Sequence, residues 1–290
     1  MIVDHTGKRR AKDTVGPPLT KDQRHEAEQR TSVAAPIVHE TIRIQGEEEL
    51  RRPPSALAWS GLAAGLSMGF SFIAEALFQT HLPASPWRPL VVRLGYPLGY
   101  LIVIIGRQQL FTENTLTAVI PLLVRRNRAT LFAVLRLWIV VLLANLIGAH
   151  IIAWVLGNTP VFSPEIQSAM RQLATQAVDV AFGAAILRGI FAGWLIAMVV
   201  WMLAATDTAR VSIIIILTYI VGLAGLTHVI AGSVEALFLV MTGAEAWSSY
   251  LTGYLIPTLT GNIIGGVALV SALNHAQVIS GFPAKTSSAR

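Results

Sequence analysis

The sequence predicts an all-α membrane protein with six transmembrane helices, the second and fifth of them broken. Three observations carry this. The 290 residues are 53% hydrophobic and 13% charged, against about 25% charged in a soluble domain, and the mean hydropathy is +0.59. The charge is uneven: residues 1–54 hold 10 of the 22 Lys and Arg and 9 of the 16 Asp and Glu, leaving a long remainder poor in charge. Two apolar runs are too long for one plain span, and each contains a polar interruption.

Residues 1–54 read as a mixed-charge, largely disordered cytoplasmic tail, with a possible short exposed helix at 21–30. The span domain is 55–275. Its apolar segments are 55–80, 90–124, 129–156, 178–205, 211–241 and 247–273, each long enough for the roughly 20 residues a bilayer requires. Residues 276–290 form a short tail. No apolar stretch near the start resembles a cleaved signal. The chain has no cysteine, so disulfides, thiolate chemistry and Cys metal sites are excluded.

Lys and Arg set the orientation. Arg51, Arg52, Arg125, Arg126, Arg128, Arg210, Lys285 and Arg290 fall on one side, and Arg88, Arg93 and Arg171 on the other. The first side is expected to be cytoplasmic, with both termini inside a bacterial-type inner membrane. The basic residues sit at the ends of apolar runs, so the sequence pI near 10.1 does not signal nucleic acid. The connection 157–177 is expected to carry a surface helix after Pro164. Gly61, Gly65 and Gly69, Gly95 and Gly99, and Gly261 and Gly265 recur every four residues. That spacing suits close helix approach, either within the chain or between subunits.

The two interruptions hold the chemistry. One is 107–117, RQQLFTENTLT. The other surrounds His228 and is flanked by Gly222, Gly225 and Gly232. The spans group as three plus three. Odd halves give inverted topology, and matched broken helices then meet at mid-membrane. A lone His in an apolar helix is often a packed core residue. A broken helix around it favours function, and an imidazole can exchange a proton or a hydrogen bond with an anion. Thr112, in the first interruption, reads as a cap for freed backbone groups. Glu75, Glu113, Glu235, Arg107 and Arg188 are ionisable groups within or beside spans. They either pair with one another, the glutamates with Arg107 and Arg188, or set selectivity. HExxH, GxSxG and P-loop patterns are absent, so catalysis is not expected. No cofactor or metal is expected either.

Several motifs taken together resemble the formate/nitrite transporter family. Leu110-Phe111-Thr112 with Asn114-Thr115 is similar to its second-span loop, and Gly225-Leu226-Thr227-His228 to its fifth-span loop. Gly189 to Leu195 resembles its fourth span; Asn145 to Gly148 and Gly261 to Gly266 resemble its third and sixth. The resemblance implies an aquaporin-like fold, a homopentamer with one pore per protomer, and passage of a small monovalent anion or its weak acid, such as formate or nitrite. It makes His228 and Thr112 the pore centre. Leu110 and Phe111 would form one constriction, Ile196 and Val221 the other, although Leu110 and Phe111 also read as plain core. The chain departs from the family pattern at Gln109, Thr227, Gly193, Gly232 and Ala177, which marks a divergent branch. Two other functions stay open: a channel for a neutral or cationic solute, and a non-conducting scaffold or sensor that uses the charged tail.

Overall fold

A computed structural model describes residues 20–22 and 33–281. Among them every regular element is helical. In chain order we label α1 (Ala35–Arg51), α2 (Pro54–His81), α3 (Arg88–Ile105), α4 (Asn114–Arg125), α5 (Arg128–Asn158), α6 (Pro164–Val178), α7 (Phe182–Ala204), α8 (Arg210–Leu223), α9 (Ala231–Met241) and α10 (Ser249–Ser280). Five of these, α2, α3, α5, α7 and α10, are long and apolar enough to cross a bilayer. The fifth expected span is two shorter helices, α8 and α9, of 14 and 11 residues. The second is likewise α3 and α4, divided by an irregular segment.

Small residues set how the long helices pack. α2 lies along α5, and α7 along α10. A Cβ on Gly65 would collide with the Asn145 carbonyl, and one on Gly193 with the Asn262 carbonyl. The Gly61–Gly69 series faces α5, and Gly261 and Gly265 face α7. These glycines therefore serve packing within the chain. In the second span, Gly95 and Gly99 face α2. α6 begins at Pro164 as the sequence suggests and buries Ala169, Met170, Leu173 and Ala174. Apolar side chains such as Phe132, Ile139, Leu143 and Trp154 on α5, and Leu187 and Phe191 on α7, point outward, as lipid-facing helices do.

The expected tail needs correction at Ala35–Arg51, which is helix α1. Its polar composition hides a narrow buried stripe of Val38, His39, Ile42 and Gly46. Arg43 pairs with Glu40 and Glu47 along the helix, and Arg125 pairs with Glu47 at 2.8 Å, tying α1 to the end of α4. Gly46 has no room for a Cβ beside the Thr117 carbonyl. Tertiary packing therefore stabilises a helix that local composition alone would not. The helix suggested at 21–30 lies, beyond residue 22, outside the described residues, as do Lys285 and Arg290. At the other end α10 runs to Ser280, five residues past the expected end of the span domain.

Candidate functional site: a buried His–Thr contact between two helix breaks

The break after α3 closes by a local pattern. Gly106 N donates to Ile102 O at 2.9 Å and Gln108 N to Val103 O at 2.9 Å. Arg107 between them sits at φ 54°. The break after α8 repeats this: Ala224 N donates to Ile220 O at 3.0 Å, Leu226 N to Val221 O at 3.0 Å, and Gly225 sits at φ 59°. Both are helix ends closed by a left-handed residue and a long reach-back bond.

Each break is then anchored by one buried asparagine. Asn145 accepts from Phe111 N at 2.9 Å and donates to Gly61 O at 2.7 Å and Gln109 O at 2.8 Å. Asn262 accepts from Val229 N at 2.9 Å and donates to Gly189 O at 2.9 Å and Thr227 O at 3.0 Å. Irregular backbone in an apolar interior must find partners, and one amide side chain per break supplies two of them while its remaining N–H reaches a carbonyl of α2 or α7. These two residues were quoted in the sequence only as parts of motifs. The signal that marks them is the pattern Asn-x-x-Gly, present once in α5 and once in α10.

So held, the breaks bring Thr112 and His228 together. Thr112 Oγ1 and His228 Nε2 are 2.7 Å apart, and both residues are buried. The Nδ1 atom accepts from Ala231 N at 3.1 Å and Ile230 N at 3.3 Å, at the start of α9. A nitrogen that accepts carries no proton, so Nε2 bears it and donates to Thr112. The Thr112 hydroxyl keeps its own proton to offer. The Tyr100 ring meets the imidazole edge-on at 5.3 Å, and Tyr254 Oη donates to His228 O at 3.1 Å.

The departures from the family pattern have local causes. At 232 the space a side chain would need is filled by the Tyr254 hydroxyl, and at 193 by the Asn262 backbone. Gln109 Oε1 accepts from Asn114 at 3.0 Å, and Thr227 Oγ1 donates to Ala185 O at 2.8 Å. These four of the five positions are held by packing or by hydrogen bonds inside the scaffold, and the fifth, Ala177, lines the cavity at His228.

Leu110, Phe111, Ile196 and Val221 are fully buried. Phe111 packs edge-on against Trp138 at 5.7 Å. None of the four lines either of two cavities near the breaks. One, of about 190 Å³, lies by the first break and is lined by Arg107, Gln109, Glu113 and Arg210, with Glu48 and Glu49 of α1. The other, of about 40 Å³, reaches His228 itself and also touches Arg93, Tyr96, Ala177 and Glu235.

The charges pair differently from the sequence expectation. Glu75 is bound by Arg93 at 2.9 Å, not by Arg107 or Arg188. Gly95 lets the turn carrying Arg93 approach the Glu75 backbone. Arg107 and Arg188 are exposed and form no ion pair among the described residues. Glu113 and Glu235 each line a cavity, and likewise take no ion pair there.

A family model described as "Formate/nitrite transporter" matches residues 36–276. The chain belongs to the formate/nitrite transporter family. It is 41% identical over 251 residues to inner membrane protein YfdC of Escherichia coli, covering 87% of this chain and 81% of that protein. It is 27% identical over 248 residues to formate channel FocA of Haemophilus influenzae, covering 74% and 84%. In fold, this transporter is similar to a solved pentameric formate channel with formate bound (TM-score 0.65, 21% identity, covering 78% of this chain and 98% of that one). It is also similar to an FNT family ion channel (TM-score 0.70, 19% identity, 82% and 98%).

Proposed function

We propose that this chain forms a channel for small monovalent anions or their conjugate weak acids, of the formate and nitrite class. One observation carries the reading: a His–Thr contact sits buried where two broken helices meet, and one of the two cavities is lined by its histidine. The α9 half-helix presents its N-terminus to the same point, a favourable end for an anion. A permeating anion meets the Thr112 hydroxyl, which His228 Nε2–H holds in place. In this geometry hydrogen-bond donation needs no charge on the ring. The buried quartet Leu110, Phe111, Ile196 and Val221 keeps hydrated ions out by dewetting on either side. The two halves form an inverted repeat, and the basic residues put both termini in the cytoplasm. The inner membrane is the location, by likeness to the E. coli relative, and the assembly is a homopentamer, by likeness to the solved formate channel.

Proteoliposome flux of formate, nitrite and hydrosulfide, measured at several pH values, tests this. The expected result is flux in the wild type and at least a tenfold loss in His228→Ala. Absence of flux for all three solutes, or equal flux in the variant, overturns it.

A second reading has its own support. The cavity by the first break holds Glu48, Glu49 and Glu113 against Arg107 and Arg210, an acidic balance that suits a neutral or cationic solute. Methylammonium flux present in the wild type and lost in Glu113→Gln selects that reading over the first.

A further inference from the structure

The charge group beside His228 is not used by the contact just described. Arg93 donates from Nη1 to Glu75 Oε1 at 2.9 Å. Glu75 is fully buried, and the Arg93 side chain is 18% exposed. The other guanidinium N–H groups have no acceptor among the described residues, and Glu75 Oε2 is buried with no hydrogen-bond partner. Arg93 lines the 40 Å³ cavity that also touches Tyr96, Thr227, His228, Glu235 and Tyr254. Glu235 is 6% exposed and bonds to no described residue. One guanidinium with donors to spare therefore faces a cavity that ends at the pore centre.

We propose that Arg93 is the docking residue for a planar monovalent oxyanion on the His228 side of the pore, positioned by Glu75 and opposed by Glu235. A guanidinium fork matches two coplanar oxygens, which a halide cannot offer. Glu75 occupies one edge through Nη1 and so turns the remaining edge outward. The cavity exceeds the roughly 10–15 Å³ that one water needs, and it admits a ligand of only a few heavy atoms. Glu235 places a carboxylate in the same small space. It weakens the hold of Arg93 on an anion, so that the ligand leaves toward His228 as well as back. Binding that is favourable but weak is what conduction requires.

This inference rests on the anion-pore reading, and two measurements separate their fates. The first is saturation transfer from detergent-solubilised full-length protein to formate, observed by NMR and competed with nitrite and with chloride. The second is formate flux in proteoliposomes. For the wild type, saturation transfer is expected, displaced by nitrite well before chloride. Arg93→Gln is expected to lose it and to lower flux at least tenfold. Arg93→Lys is expected to keep partial binding without the preference for nitrite over chloride, which a merely structural arginine would not predict. Glu235→Gln is expected to raise apparent formate affinity several-fold, and this near-isosteric change keeps the test alive if the Arg93 variants unfold. Saturation transfer and flux unchanged in Arg93→Gln, or affinity unchanged in Glu235→Gln, overturns the docking site and leaves the channel reading standing. Binding that depends on Arg93 without flux upholds the site and overturns conduction. No binding by the wild type overturns the site.

Discussion

The two helix breaks share a backbone and differ in chemistry. Arg107 and Gly225 occupy the same left-handed position, Gln108 and Leu226 make the same reach-back bond, and Phe111 and Val229 donate to matching asparagines. Counting on from those positions, Leu110 in the first break stands where His228 stands in the second, and Thr112 where Ile230 stands. Neither break holds a complete polar site. The His–Thr contact exists only when both breaks are in place, so the repeated scaffold fixes the position of a centre that is itself unsymmetrical. A hydrogen bond of 2.7 Å leaves little tolerance, which is why so much buried polar bonding is spent on the backbone around it.

The largest expected effect tests whether the scaffold is truly shared. Asn145→Ala and Asn262→Ala each strip partners from two buried backbone groups of the break. At about 1–3 kcal/mol per unsatisfied group, each should cost about 2–6 kcal/mol, read as a lower thermal midpoint of the solubilised protein. Similar losses in both support equivalent anchors. A large loss in only one breaks the comparison.

Next comes the contact between the breaks. Thr112→Val keeps the shape and removes the acceptor for His228 Nε2–H, leaving a buried donor unpaired at about 1–3 kcal/mol. Flux is expected to fall with it, while the pairing of Arg93 with Glu75 stays intact. Stability and flux both unchanged would show that the contact is incidental.

The succession of apolar spans was legible in the residues because apolar length is a local signal. Half of the polar centre was legible for the same reason: His228 stands in an apolar run among glycines, whereas Thr112 is joined to it only by the family resemblance. What was not legible depends on distance. α1 looks like tail because its buried stripe is short and its partners lie on α4, α7 and α10. Arg93 reads as an orientation charge, since nothing near it in sequence announces Glu75, 18 positions earlier. Gly193 and Gly232 look like losses from a motif until Asn262 and Tyr254 are seen in the space they leave. Sequence shows which side chains are out of place in lipid, and only packing shows which neighbour accounts for them.

A smaller effect separates the two left-handed positions. Glycine reaches positive φ without penalty, and another residue there costs roughly 1–2 kcal/mol. Gly225→Ala is therefore expected to destabilise by about 1–2 kcal/mol. Arg107→Gly should be neutral or stabilising by up to about 1 kcal/mol, since it relieves strain at some entropic cost. Equal effects of the same sign at both sites would mean that the closures are not equivalent after all.

The smallest effect lies at the edge of the first break, where α1 docks. His39 Nε2 and His275 Nδ1 are 2.9 Å apart and the rings stack, joining α1 to α10. Burial, and then the neighbouring His275, push His39 below its ordinary range, with Glu40 opposing and Arg43 assisting; Arg126 lines the same cavity. Folded His39 thus takes up a proton less readily than the unfolded chain. Docking that depends on the neutral ring is at full strength above about pH 6.5 and weakens as pH falls from there through the lower folded value. Hydrogen exchange of residues 38–46, corrected for intrinsic rate, should show protection falling with pH in that window, and His39→Gln should flatten the dependence. Neither His39 nor His275 bonds to the second break among the described residues, so the amides of 224–230 should hold their protection across the same range. If those amides lose protection in parallel, acid loosens the whole bundle and the His39–His275 contact is not what responds.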